Sequence, residues 1–214
     1  MRTDPIFRSL YERCDLVFID GMPIVVIARL SGYRVNPSHR LAVLDWIWPL
    51  LALAEERHWG VAHVGSKEPY LSSVRSQVAR RHPSLALTLV PGFFDHSAGS
   101  RESAEVVSAV NTAAPHVLLV GMGMPLQERW LTAHLALLEV PVVITVGGVL
   151  GFLGGERRPA PRWLGALGLE WCYRLVTEPR RLARRYLVEP WALLPSLAVS
   201  LARSQTGRHE HPTA

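Results

Sequence analysis

The feature that most constrains the fold is an alternation of two periods along the chain. Short apolar runs rich in Val, Leu and Ile stand at 16–19, 61–64, 85–90, 117–120 and 142–146, and most end in Gly or Asp-Gly. Between them, residues 39–58, 69–81, 101–113 and 125–138 place their apolar side chains at helical spacing. The runs are too short for helices and fit buried strands. Such alternation predicts an α/β domain, a Rossmann-like parallel sheet with crossover helices on its faces. Helix starts agree: Pro69 and Pro125 suit a first helical position, and Ser100 suits an N-cap.

No apolar run reaches the roughly 18 residues of a membrane span. Cys14 and Cys172 are the only cysteines, too few for a disulfide framework, and residues 1–10 lack the apolar core of a secretory signal. A cytoplasmic protein is the expectation. A helix-like stretch at 5–13 precedes the first apolar run, whereas a doubly wound domain begins with a strand. The chain is therefore expected to lack an N-terminal unit, or to start late.

Charge is concentrated. Residues 156–185 hold eight arginines against three glutamates, while the rest of the chain is neutral and Lys67 is the only lysine. An Arg-dense segment on a neutral body points to an anionic partner, although Arg and Lys serve solvated faces equally and codon bias explains much of the preference for Arg. Composition shifts to Gly, Pro, Arg and Trp near Gly151. The expected division is a sheet domain over 1–150, a helical Arg-rich appendage over 151–202 and a disordered tail over 203–214. In the appendage, Thr177-Glu178-Pro179 reads as a helix start, with Arg180/Arg184 and Arg181/Arg185 one turn apart.

Open parallel sheets bind ligands beyond the carboxyl ends of their strands. The turns to inspect are Asp20-Gly21, Gly65-Ser66, Pro91-Gly92, Gly121-Met122-Gly123 and Gly147-Gly148. Glycines there let backbone approach a phosphate or sugar, and equally they end strands. Asp20 is placed to act as a general base or to accept from a sugar hydroxyl, with a turn-capping role as the alternative. Gln127 and Glu128 follow the third turn, where their residue types suit exposed helix caps as well as ligand contacts. The spacing is not GxGxxG, and no Walker A sequence, GxSxG elbow or HExxH pair occurs. No metal site is expected. The aromatics of the Arg segment, Trp163, Trp171, Tyr173 and Tyr186, follow no nucleic-acid-binding pattern, so no nucleic-acid partner is expected.

The order of motifs is more specific than any one of them. Asp20-Gly-Met-Pro, Pro91-Gly-Phe-Phe, Val120-Gly-Met-Gly-Met-Pro-Leu-Gln-Glu-Arg-Trp130, Val146-Gly-Gly and the long stretch from Gly168 to Tyr186 together resemble the WecG/TagA/CpsF family of bacterial glycosyltransferases. The resemblance covers nearly everything from Asp4 to Leu187. It implies a metal-independent, inverting transferase that moves a sugar from a UDP-sugar to a polyprenyl-diphosphate-linked acceptor at the inner membrane face, for surface polysaccharide or teichoic acid. It implies Asp20 as general base and Gln127 as an active-site amide. Arg174, Arg181 and Arg184 would stabilise the leaving diphosphate. Gly65, Gly121, Gly123, Glu128, Gly147 and Gly148 would line the donor site. The appendage would also hold the protein at an anionic leaflet.

This chain departs from the family in three places. It is expected to begin after the family's upstream strand and Thr-x-Asn loop. Leu150-Gly151 stands where relatives tend to have Phe-Asp, and Pro159-Ala160-Pro161 where they have Arg-Ala-Pro. A catalytically inactive relative that binds lipid-linked sugar or a pathway partner is the rival expectation. The sequence leaves the donated sugar and the oligomeric state open.

Overall fold

Four of the five apolar runs form the sheet that the alternation predicts. In this computed structural model, which describes residues 5–155, 159–161, 164 and 169–183, the strands are β1 (Val61–Gly65), β2 (Leu87–Val90), β3 (Val117–Gly121) and β4 (Val142–Thr145). They are all parallel, in the order β2-β1-β3-β4. Register pairs His63 with Leu89 on one side and Leu119 on the other, and Gly65 with Gly121 at the carboxyl end. The fold is Rossmann-like α/β.

The chain divides into two units, one of Met1–Val17 with Val43–Arg158 and one of Phe18–Ala42 with Pro159–Ala214. In the first, helices cover both faces of the sheet. Helices α3 (Val43–Glu56), α4 (Tyr70–Arg81) and α7 (Val149–Leu153) bury Ile47, Leu51, Leu71, Val74, Val78 and Leu150 against Val61, Val117 and Leu119. Helices α1 (Pro5–Glu12), α5 (Arg101–Ala113) and α6 (Leu126–His134) bury Leu10, Val106, Val110, Trp130 and Leu131 against Ala62, Val64, Leu118 and Val120. Alternate strand residues therefore feed opposite cores, and each fully buried Leu or Val contributes about 1.5–3 kcal/mol. Ser100 caps α5 as expected, accepting from the Ser103 N–H at 3.0 Å. Pro69 and Pro125 stand at the N-cap positions of α4 and α6, one residue earlier than expected.

The second unit holds α2 (Met22–Leu30), α8 (Glu170–Thr177) and α9 (Pro179–Ala183), the last starting at the expected proline. Run 16–19 is not a sheet strand. A strand needs a ladder along its length, and among the described residues this run makes a single parallel bridge, Ile19 to Arg40, while Leu16, Val17 and Phe18 stay exposed. The helical stretch expected over 39–58 starts only at Val43. Asn36 caps a 3-10 turn, Pro37–His39, through its side chain and the His39 ring, and the chain passes extended through Arg40 before helix begins. The expected cut at 150/151 falls inside α7. Segment 191–202, the tail over 203–214 and Arg184 lie outside the described residues.

Candidate active site

The strand order places a topological switch between β1 and β3. From β1 the chain runs outward to β2 and then returns to the other side of β1, and such a reversal opens a crevice at the carboxyl ends of the two central strands. Gly65 and Gly121 face one another there. They are packed so closely that a Cβ on Gly65 would come 2.6 Å from the Gly121 carbonyl oxygen. Gly92, from the turn after β2, closes on the same place, since its Cβ would lie 2.5 Å from Gly65 Cα. Gly147 supplies the fourth turn, its carbonyl oxygen 2.7 Å from where a Gly121 Cβ would stand. Gly148 is the N-cap of α7. The structure thus brings Gly65, Gly121 and Gly147 together at one edge.

Gln127 and Glu128 leave that edge in the first turn of α6. Both are buried, at 4% and 3% exposure, so neither is an exposed cap. The Gln127 side-chain oxygen accepts the Gly123 N–H at 3.1 Å, and its Nε2 donates to Glu128 Oε1 at 2.8 Å. These two bonds fix which way the amide points, because only its oxygen can meet an N–H and only its nitrogen a carboxylate. Among the described residues the second Nε2 hydrogen has no acceptor. Glu128 Oε2 is buried with no hydrogen-bond partner among the described residues. Burial, and next the charge of Glu128, push the Tyr11 hydroxyl above its usual range, so α1 brings a phenol near this carboxylate. A groove of about 450 Å3 lined by Ser100, Val107, Asn111 and His134, among others, contains none of the predicted site residues.

A second polar cluster belongs to the other unit. Glu170, in the first turn of α8, accepts from Arg40 Nη2 at 2.8 Å through Oε2 and from Arg174 Nη2 at 2.6 Å through Oε1. The carboxylate thus holds two guanidinium groups in place, groups whose forked donors suit phosphate oxygens. The side chains are 17–28% exposed, within reach of solvent yet partly desolvated. Asp20 is in the same unit, next to Ile19, whose carbonyl accepts the Leu41 N–H at 2.8 Å, and immediately before Gly21, the N-cap of α2. Arg181 is in α9.

Sequence reasoning missed three residues. Arg40 stands in a segment expected to be helical, and Glu170 was seen only as a charge to subtract. His63 lay hidden inside an apolar run, where a polar residue among five buried positions was the available signal.

Residues 1–207 match the profile of the glycosyl transferase WecG/TagA/CpsF family. The chain belongs to that family. Among WecG/TagA/CpsF relatives it is 27% identical over 190 residues to the N-acetylglucosaminyldiphosphoundecaprenol N-acetyl-beta-D-mannosaminyltransferase of Bacillus subtilis (strain 168), covering 89% of this chain and 72% of the relative. To the enzyme of the same name from Staphylococcus aureus (strain NCTC 8325 / PS 47) it is 26% identical over 183 residues, covering 85% and 69%. Among the described residues no helix is long and apolar enough to cross a membrane.

Proposed function

We propose that this WecG/TagA/CpsF glycosyltransferase transfers a sugar, with inversion, from a UDP-sugar to a sugar acceptor linked to a polyprenyl diphosphate, at the inner face of the cytoplasmic membrane. The observation that carries this reading is the family match across nearly the whole chain, together with relatives named for transfer to N-acetylglucosaminyldiphosphoundecaprenol. The product enters surface polysaccharide or teichoic acid.

In the proposed reaction the acceptor hydroxyl attacks the anomeric carbon from the side opposite the diphosphate. Asp20 takes the hydroxyl proton as the new C–O bond forms, and the bond from the anomeric carbon to the diphosphate breaks, releasing UDP. By family resemblance, Arg174, Arg181 and Arg184 take up the charge that develops on the leaving diphosphate, electrostatic work done without a metal ion. The donor is bound at the glycine edge by Gly65, Gly121, Gly123, Gly147 and Gly148. The free Nε2 hydrogen of Gln127 and the open oxygen of Glu128 fit sugar or ribose hydroxyl groups, one donating and the other accepting.

The test is UDP release from a panel of UDP-sugars with a short-chain diphosphate-linked N-acetylglucosamine acceptor. Acceptor-dependent release is expected, and Asp20→Asn is expected to lower it about 10²–10⁴-fold, the usual worth of a general base. UDP binding without release of product from any donor would favour an inactive binding relative instead.

A further inference from the structure

His63 is the third residue of β1, in the centre of the sheet, and is 1% exposed. It faces the core formed by α3, α4 and α7, since Val61 before it packs there while Ala62 and Val64 pack on the opposite face. Neither Nδ1 nor Nε2 has a hydrogen-bond partner among the described residues. Burial drives its pKa down to about 3, so the ring is neutral and carries one N–H donor and one acceptor.

Leaving such a group unpaired destabilises the fold, and an apolar residue of similar volume would avoid the cost. The ring lies where the two central glycines leave room. A Cβ on Gly65 would come 2.6 Å from His63 Cε1, and a Cβ on Gly121 would meet His63 Nε2. The Gly147 carbonyl oxygen borders that same point, 2.7 Å from it. Nε2 and this carbonyl thus flank one gap beside Gly121 Cα, under the switch-point crevice. Gly147 has φ of +54° and begins the turn that connects β4 to α7.

We propose that His63 is a positioning residue of the nucleotide-sugar site, holding an N–H in reserve for the Gly147 carbonyl and making that bond when the donor settles on the glycine edge. This inference rests on the donor reading given above. When the turn draws toward Gly121, the Nε2–H donates to the Gly147 oxygen, and donor binding gains the hydrogen bond that the free protein forgoes. His63 does not touch the donor. It acts through the backbone of Gly121 and Gly147, so it tunes affinity and leaves the chemical step alone.

The experiment measures UDP affinity by calorimetry and the donor KM and kcat for the full chain, His63→Leu and His63→Gln. His63→Leu removes the buried polar group at similar volume. It is expected to keep or raise Tm while weakening UDP binding and raising the donor KM about tenfold, with kcat within about twofold, the scale of one neutral hydrogen bond. His63→Gln places an amide N–H near the Nε2 position and is expected to recover most of the affinity. A purely packing role would move Tm and affinity together and would leave Gln no better than Leu. If His63→Leu folds poorly, the imidazole ¹⁵N–¹H signal of the unaltered protein decides: a hydrogen-bonded N–H that appears on adding UDP supports the proposal, and an unchanged signal overturns it. UDP affinity of His63→Leu equal to that of the unaltered chain overturns the role of His63 alone. Absence of UDP binding by the unaltered chain overturns the donor reading itself, and this inference with it.

Discussion

Glu128 and Glu170 each sit in the first turn of a helix, in different units, and their surroundings set them to opposite tasks. Glu128 is 3% exposed, spends one oxygen on orienting Gln127 and leaves the other open. Glu170 is within reach of water and gives each of its oxygens to a guanidinium. The first arrangement offers an amide hydrogen and a lone carboxylate oxygen, which suit neutral hydroxyl groups. The second holds two guanidinium groups on one carboxylate, groups whose forked donors suit phosphate oxygens. Position in a helix does not decide the chemistry of a glutamate; the number of donors already on its oxygens does.

Substitutions test the contrast in order of expected effect. Arg174→Ala should cost about 10²-fold in kcat/KM for the UDP-sugar, as removal of one donor to a developing charge does, and the effect should shrink as salt rises because the cluster is partly solvated. An equal loss at every ionic strength would break the contrast. Gln127→Ala should cost less, about tenfold in kcat/KM, with no salt dependence, since a neutral hydrogen bond is lost. Glu128→Gln should raise thermal stability by about 1 kcal/mol, since it removes a buried charge with one unpartnered oxygen, whereas Glu170→Gln should lower it.

A third glutamate gives the smallest effect. Glu55 accepts from the Ser84 hydroxyl at 2.7 Å and backbone N–H at 2.9 Å and faces His82 at 2.8 Å, and these partners, Ser84 first, hold its carboxyl below the usual range. A depressed carboxyl contributes stability above its unfolded pKa and loses it as pH falls through the folded value. Glu55→Gln should therefore lower the neutral plateau of a stability profile slightly and flatten its acid limb below about pH 4.3, the ordinary Glu value, the two proteins converging at low pH.

Much of the fold was legible because its cause is local. Val61, Val117 and Val142 head runs bounded by Gly or Pro, and sheet burial follows from that pattern alone. Run 16–19 has the same composition and failed, since a strand is defined by its partner and, among the described residues, only Arg40 pairs with it. Helix α2 was missed for the converse reason: Ile24, Val25, Val26 and Ile27 carry β propensity, yet Gly21 and Pro23 start a helix there. Gln127 is a candidate site residue on the sequence alone, but its burial and its fixed amide are not legible there, because they depend on Gly123 and Glu128. Arg40 and Glu170 are 130 residues apart, and no local signal joins them.

Lys67 follows Ser66 in the turn after β1, exposed, with its Nζ 5.6 Å from the centre of the Phe93 ring in the turn after β2. No other lysine occurs in the chain. Within these 214 residues a single side-chain amine is therefore offered to an acylating dye, in the turn after β1. One round of ordinary amine chemistry, with no engineered cysteine, would install a fluorescent reporter beside the proposed nucleotide-sugar site.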